Sequence, residues 1–581
     1  MNIYRIIGLG LLIALNINIS AFAQSRKKTV GDLLKQIDKQ GGSISSVKKS
    51  TLNLPSTREI ETVKPKNLSS IKPLRTKQIV DGNKETSQLE AVIDEGIEEL
   101  YKLTQKYKKS PNRGELWLRL GELYVEKAKL IEYRTYEEYD KRLNLYYDKK
   151  IKNKPKLNLR IAKDFNKKAI QLYEWFIRDY PKDRKVDQAL FFLGYNHFQI
   201  GSSKKGARYY EELNSRFPRS RYVSESNFSL GEYYFEDNKW KQAEVAYEKV
   251  IQRKDEKLLS FALYKKAWAL HRLGQTQKGI KYLEKVVELG ERNKQKIRLV
   301  AEAQRDMVVF YSVVGNYENA RRYFSKFMDD KEVEGALEKL GFIYVEYGKR
   351  DAIRYVFTDL INSNPRARKA LDYKYQIVNA YSTAGDRKVY LNELKDFMAD
   401  YTPDSAWGNA NKDGINDSQV LREKFLRNHS LQNHKVYLKN KSGIARSMAM
   451  EGYKLYLKYF SSAKGSDEIH FFYAELLYDQ KKYEDAAEEY DWVVKNVKSS
   501  QYYDKALNNM MISLEKGLPS EDKVRDKIGD STQRYAFPPS VEKFVAAATV
   551  YIASSSDKQQ KAEITFRVGR LHYLFNQFDE A

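Results

Sequence analysis

The chain has 581 residues, more than the roughly 250–300 that one hydrophobic core supports, so it must form several domains or a stack of repeats. It contains no cysteine, which excludes disulfides, cysteine-ligated zinc, thiol catalysis and lipid attachment at an N-terminal cysteine. The net charge is +25, but 78 acidic residues are interspersed with 103 basic ones, so we interpret the charge as solvated helix faces and expect no nucleic-acid partner.

The N-terminus, MNIYRIIGLGLLIALNINISAFAQ, has a positive charge, a short apolar run and small residues in the order of a secretory signal peptide. We predict a signal peptide over residues 1–23, cleaved between Ala23 and Gln24. A retained anchor is less favoured because Asn16 and Asn18 interrupt a run already shorter than the roughly 20 residues of a bilayer span. The mature chain is therefore expected to be exported, most simply to a bacterial periplasm, without a transmembrane segment.

Residues 24–88 are polar and basic, with three prolines and no apolar periodicity. The pattern predicts a flexible basic arm. Because this segment holds the densest local excess of Lys and Arg, weak docking of the arm to an anionic surface is kept as an alternative role.

Helical periodicity begins at Leu89. The stretch WLRLGELY fits W-x2-L-G-x2-Y, the first-helix signature of a tetratricopeptide repeat (TPR), through Trp117, Leu120, Gly121 and Tyr124. The small glycine lets a partner helix approach closely. The matching second-helix pattern arrives late, so we predict one long helix from about residue 115 to 150 and an elongated first hairpin.

The glycine position then recurs at intervals of 33 to 41 residues, held by Gly194, Gly231, Ala267, Val308, Gly341 and Val378. This register predicts an all-α TPR helical-hairpin solenoid, a superhelix, over residues 89–398, with further units over 444–515. We expect a polar insertion at 399–443 and a loop at 516–540.

The last stretch, residues 541–581, is predicted to be a truncated unit. Its ending, RVGRLHYLFNQFDEA, places Gly569 in the glycine position and Ala581 at the start of a second helix. We therefore expect the sequence to be a fragment of a longer array.

No chemical motif stands out, and we expect no enzyme activity, cofactor or metal. His197 and His572 occupy a position that Tyr holds in other repeats, and no zinc-ligand spacing occurs. The segment NANKDGIND resembles a calcium loop, but Val420 stands where the bidentate acid belongs, which favours a polar turn. Phosphate-binding and nucleophile motifs are missing.

The units from Trp117 to Ala581 resemble tetratricopeptide repeats. Together with the export signal, they look like the periplasmic envelope members of that family: its cell-division coordinator, outer-membrane assembly lipoproteins and gliding-motility-type proteins. The missing cysteine departs from the lipoprotein members, so direct lipid anchoring is not expected.

The resemblance also implies a groove, because in this family the fifth and ninth positions of each first helix line a concave face. Those positions are aromatic here and would suit an apolar or proline-containing peptide. They depart from the Lys/Asn clamp of the chaperone-binding relatives. The alternative is that the rings pack between neighbouring repeats. The residues are Phe191, Tyr195, Phe228, Tyr264, Trp268, Phe342 and Tyr375.

The sequence thus predicts an exported, non-catalytic scaffold that binds one or more envelope proteins and lies in the periplasm, peripheral to the outer membrane. One alternative is a regulatory or substrate-binding arm of a larger cell-envelope enzyme whose catalytic part lies beyond residue 581. The other is a protein that binds anionic surfaces through its basic arm.

Overall fold

A computed structural model describes residue 54 and residues 86–292, 299–382, 386–529 and 531–581. Within this part of the chain all helices are α or 3₁₀ and there is no β-strand, so the all-α prediction is confirmed. The described residues form two compact units, of which one ends at Leu360 and the other begins at Ile361. The signal peptide and nearly all of the basic arm lie outside the described residues.

The helices of the first unit follow one another with short connections. They are α1 (Thr86–Lys106), α2 (Arg113–Tyr147), α3 (Arg160–Asp179), α4 (Val186–Ile200), α5 (Ser203–Arg216), α6 (Val223–Glu236), α7 (Trp240–Arg253), α8 (Leu259–Arg272), α9 (Thr276–Arg292), α10 (Leu299–Val314), a 3₁₀ turn (Tyr317–Asn319), α11 (Ala320–Phe324), α12 (Asp330–Glu346) and α13 (Arg350–Ser363), whose last three residues belong to the second unit.

The helices of the second unit are more varied in length. They are α14 (Ala370–Ser382), α15 (Arg387–Ala399), α16 (Ala406–Ala410), a 3₁₀ turn (Lys412–Gly414), α17 (Ile415–Asn440), α18 (Gly443–Phe460), α19 (Ser466–Asp479), α20 (Tyr483–Asn496), α21 (Tyr503–Lys516), α22 (Glu521–Ile528), α23 (Pro539–Ser554) and α24 (Lys558–Leu574).

The helices pair into hairpins through one repeated contact. A small residue on the first helix faces a buried ring on the second, as Gly121 faces Tyr173: a Cβ at position 121 would lie 2.8 Å from the ring. The glycine thus sets how closely the two helix backbones approach. The same contact joins Gly194 to Tyr210, Gly231 to Tyr247 and Gly341 to Phe357. We call the two positions the small-residue slot and the partner slot.

In two hairpins the hydroxyl group of a partner-slot tyrosine bonds to a carboxylate, whereas the buried Tyr173 hydroxyl has no partner among the described residues. Tyr247 donates a hydrogen bond to Glu232, 2.6 Å away, which directly follows the small residue. Lys265, on the first helix of the next hairpin, contacts the same carboxylate at 2.8 Å. In the second unit Tyr490 and Asn509 bind Glu475 in the same way. One carboxylate therefore ties a hairpin both to itself and to its neighbour.

The prediction that residues 399–443 form a polar insertion is wrong. This segment contains the 26-residue helix α17, and Trp407 of α16 is only 2% exposed. The polar side chains of α17 are bonded inside the unit: Arg422 donates to the Met398 carbonyl oxygen at 2.8 Å, and a ring nitrogen of His434 lies 2.9 Å from the Tyr453 hydroxyl. Because the buried face carries polar residues, the apolar periodicity that predicts a helix is weak.

The predicted loop at 516–540 is also partly helical. Ser520 caps α22 by accepting a hydrogen bond from the backbone N–H of Lys523, as a serine does at a helix N-terminus. At the other end of the chain, α1 begins three residues before the predicted start at Leu89.

The small-residue slot gives a matched test between two glycines inside helices. We expect Gly194→Ala to lower the free energy of unfolding by about 1–3 kcal/mol, because the new methyl group overlaps the Tyr210 ring. Gly335→Ala, where nothing lies within 4 Å, should raise it by about 0.5–1 kcal/mol. Urea unfolding followed by circular dichroism measures both, and two changes of the same sign would contradict the slot's role.

Candidate functional site

Five of the seven aromatic residues predicted to line a groove are buried. Their exposed fractions are 8% for Phe191, 6% for Phe228, 0% for Tyr264, 1% for Trp268 and 7% for Tyr375. The prediction of an accessible aromatic stripe is wrong for these five, and the alternative that the rings serve packing holds for them. Phe191, for example, stacks on Tyr222 with ring centroids 4.6 Å apart.

Tyr264 and Trp268 are buried because both donate to one carboxylate oxygen of Asp306. The Tyr264 hydroxyl lies 2.6 Å and the Trp268 indole nitrogen 3.0 Å from Asp306 Oδ2. Asp306 is itself 0% exposed, and its burial raises the pKa of its carboxyl group. These two aromatic residues therefore join α8 to α10 and are not available to a ligand.

The two remaining groove residues are half-buried and lie on helices far apart in the chain. Tyr195 is on α4, with Lys129 Nζ 5.0 Å from its ring centroid, and burial raises the pKa of its hydroxyl group. Phe342 is on α12, with its ring edge-on to Phe357. The predicted set thus does not converge on one site.

An open cleft lies elsewhere in the first unit, between α5 and α7, with α6 as its floor. Its volume is 440 Å³. Leu230 and Asn227 form the floor, and both are nearly fully buried in the unit at 4% and 2% exposed. The cleft is lined by Glu211, Asn214, Ser215, Asn227, Leu230, Tyr234, Lys241, Gln242, Val245, Ala246 and Lys249.

The cleft exists because two apolar positions of the repeat carry asparagine here. Four residues after the partner slot, Asn214 stands where other second helices have Ile177, Ile251 and Val287. Four residues before the small-residue slot, Asn227 stands where four other first helices bury Trp117, Leu190, Leu263 and Leu337 and two carry the polar residues Gln304 and Lys374.

These positions are filled with apolar side chains at the neighbouring seam between hairpins. Ile177, for example, packs against the core cluster that contains Leu190. At the seam between α5 and α6, the shorter and polar asparagine side chains leave the space unfilled.

The two asparagine side chains are only half satisfied. Asn214 Oδ1 accepts from the Ser226 hydroxyl at 2.6 Å, while its buried Nδ2 has no hydrogen-bond partner among the described residues. Asn227 Nδ2 donates to the Val223 carbonyl oxygen at 2.7 Å, and its Oδ1 accepts from no described residue. By contrast, Gln304 in the equivalent position bonds to the Phe327 carbonyl oxygen at 2.7 Å.

The rim of the cleft carries one apolar and several charged groups. Val245 is 44% exposed on α7. The Glu211 carboxylate accepts from the Tyr234 hydroxyl, whose pKa is raised by burial and by that carboxylate. Lys241 pairs with Glu244 at 2.8 Å, whereas Lys249 has no ion pair with any described residue. The rim therefore offers one uncommitted positive charge.

Arg253 lies on α7, one turn beyond the cleft-lining Lys249. Its guanidinium group donates to the carbonyl oxygens of Pro218 and Ser220 at 3.0 and 3.2 Å. The end of α7 is thereby fixed to the segment that follows α5. Sequence reasoning missed this site because it did not compare the positions four residues before the small-residue slot and four after the partner slot, where the two asparagines are visible in the same register.

Groups that bind metals are engaged in structural contacts. Within the described residues, no cluster of three His, Asp or Glu side chains could hold a metal ion. His470 bonds to Glu489 at 2.6 Å and stacks on Trp492, and Asp413 of the turn resembling a calcium loop bonds to Arg368. No helix in the described part of the chain has the length and apolar composition that a bilayer span requires.

The stacked hairpins are typical of helical-repeat proteins. A comparison with known families supports this class for one stretch of the chain. Residues 261–289, which include most of α8 and α9, match the sequence profile of the tetratricopeptide repeat family. No curated protein shows significant similarity to the chain.

Two solved structures are similar at low identity. One, described as Naa15/Naa10 bound to HypK-THB, is 13% identical, with 84% of this chain and 77% of that chain covered and a TM-score of 0.29. The other, a tetratricopeptide repeat protein from Parabacteroides merdae, is 12% identical, with 65% and 99% covered and a TM-score of 0.23. At these TM-scores neither structure supports a functional argument.

The Asp306 carboxylate gives a pH-dependent prediction. Burial raises the pKa of the Asp306 carboxyl group in the folded protein. The stabilisation that the protonated group gives is therefore complete below its pKa in the unfolded chain, near 4. This stabilisation is lost as the pH rises through the higher pKa of the folded protein. Asp306→Asn keeps an acceptor for Tyr264 and Trp268 but cannot ionise. We expect the free energy of unfolding of Asp306→Asn, measured relative to that of wild type, to increase as the pH rises from 4 to 8.

The control for this prediction is Asp306→Ala, which removes the acceptor. Two buried donors then lose their partner, and we expect a loss of about 2–4 kcal/mol across the same pH range. Urea unfolding of the full chain at several pH values measures both variants. If the difference in free energy of unfolding between Asp306→Asn and wild type does not change with pH, the raised pKa of Asp306 is contradicted.

Proposed function

We propose that the protein is an exported, non-catalytic scaffold of the tetratricopeptide-repeat type that binds segments of other proteins in the bacterial cell envelope. The observation that carries this proposal is the cleft over α6. Neighbouring positions of the repeat are filled with apolar side chains, whereas this seam stays open and polar. An open seam costs stability, so its presence favours a binding role.

The repeat architecture supports protein partners in particular. Each hairpin contacts its neighbours in the chain, which leaves long helix faces accessible along the stack. The match of residues 261–289 to the tetratricopeptide repeat family agrees with such a role.

The non-catalytic role is supported by the use made of the buried ionisable groups. The Asp306 carboxylate accepts hydrogen bonds from Tyr264 and Trp268. The Glu232 carboxylate accepts hydrogen bonds from Tyr247 and Lys265. These carboxylates hold helices together and lie away from the cleft lining. The envelope location rests on the first 23 residues, whose order of charge, apolar run and small residues is typical of a secretory signal.

Site-specific photocrosslinking in the native cell tests the binding role. A benzophenone side chain at Gln242, on the cleft rim, should crosslink to a partner protein. The matched control is Lys278, which is exposed and holds the same register position on α9, beside a seam without asparagine. Equal crosslinking from both positions, or none from Gln242, would contradict the proposal.

Export is tested on the same full chain. We expect the mature protein to begin at Gln24 by intact mass spectrometry and to fractionate with the periplasm, because the cut follows Ala23. Deletion of residues 2–23 should leave it in the cytoplasm. A mature mass that still includes these residues would show the signal-peptide prediction to be wrong.

A further inference from the structure

We propose that the cleft over α6 binds an extended peptide through one main-chain amide, and that the preferred peptide carries an acidic side chain two residues after a branched apolar one. This inference deepens the proposed scaffold function and rests on it. The observations behind it are the unused amide oxygen of Asn227, the apolar wall and the uncommitted lysine.

Asn227 presents an acceptor for the N–H group of a peptide bond. It lines the cleft, and its Oδ1 accepts from no described residue. Asn214 is held beside it by a 2.6 Å hydrogen bond with Ser226, and its own Nδ2 is buried from solvent. An N–H group of a bound main chain would satisfy Asn227 Oδ1.

The peptide must be extended for this recognition. In an α-helix the main-chain N–H and C=O groups are bonded within the helix and cannot reach a side chain at the bottom of a cleft. An extended strand leaves them available, as in other cases where main-chain hydrogen bonds supply affinity and alternate side chains supply specificity.

The apolar side chain would lie on the α7 side of the cleft. Val245 is 44% exposed there and lines the cleft together with Leu230 and Ala246, which are only 4% and 5% exposed. An exposed valine above an apolar floor is an incomplete contact. A valine or isoleucine of the peptide would complete it, which removes apolar surface from water.

The acidic side chain would meet Lys249. Lys249 follows Val245 by four residues on α7, a rise of about 6 Å along the helix. Side chains two residues apart on one side of an extended chain are separated by about 6.6 Å. The spacing therefore matches an apolar residue followed two positions later by an acid. The Ser215 hydroxyl lines the same cleft from α5 and adds a donor.

The other charged rim groups are already engaged. Glu211 accepts from Tyr234, and Lys241 pairs with Glu244. Arg253, one turn beyond Lys249 on α7, adds positive charge while it donates to the Pro218 and Ser220 carbonyl oxygens. The charge that remains available at the cleft is therefore positive. A peptide with an acidic side chain is complementary to it.

The test is fluorescence anisotropy with the full mature chain and four labelled nine-residue peptides. The reference peptide is Gly-Ser-Thr-Val-Thr-Asp-Thr-Ser-Gly. The others replace its aspartate with asparagine, replace its aspartate with lysine, or carry an N-methyl group on the amide between its valine and the following threonine. We expect binding of the reference peptide to weaken two- to fivefold with asparagine and further with lysine.

The N-methyl peptide should bind at least tenfold more weakly than the reference, because it loses the main-chain donor. Lys249→Gln in the protein should remove the preference for aspartate. Its matched control is Lys285→Gln, the same register position on α9, which should leave every affinity unchanged.

A variant that keeps the fold separates a loss of peptide binding from a loss of folding. Asn227→Leu restores the side chain that Leu190, Leu263 and Leu337 provide elsewhere, so we expect its thermal unfolding temperature to match or exceed that of wild type. Peptide binding should fall at least tenfold. Retained binding in Asn227→Leu, or equal binding of the aspartate and lysine peptides, would overturn the inference.

Failure of this inference is distinguishable from failure of the scaffold proposal. If the reference peptide does not bind at millimolar concentration but Gln242 still crosslinks to a partner, the cleft region serves a different kind of protein contact and only the peptide chemistry is wrong. If Gln242 also gives no crosslink, both proposals are wrong.

Discussion

The close approach of a small residue on one helix to a ring on the next is the constraint on which the first unit depends. Gly194 and Tyr210 show it most simply, since the helix backbones can pack this tightly only without a Cβ at position 194. The ring then occupies the centre of the hairpin, and a tyrosine there reaches a carboxylate one residue further along, as Tyr247 reaches Glu232. Packing within a hairpin and linkage to the next one follow from the same local geometry.

This contact is predictable from sequence because it joins residues at a fixed spacing in a repeated unit. The aromatic groove was not, because its residues came from a family resemblance and their burial depends on distant partners. Trp268 is buried by Asp306, which lies 38 residues away. For α17 the reason is different: its interior holds Arg422 and His434 in hydrogen bonds, so the hydrophobic pattern that reveals other helices is weak.

The cleft shows what a repeat register can reveal when each position is compared across the units. Asn214 and Asn227 are unremarkable as single residues, since asparagine is common on helix surfaces. They become informative because their equivalents, such as Ile177 and Leu190, belong to or pack against a hydrophobic core. A polar substitution in one of these positions would suggest little, but two that face the same seam leave a space and an unused amide oxygen on Asn227.

Arg253 gives the cleft a mechanical property. One planar side chain joins the end of α7 to two carbonyl oxygens of the turn that follows α5, so a single residue limits how far these two helices can separate at that end. Loss of the Arg253 guanidinium group would therefore loosen the seam without removing any residue that lines the cleft.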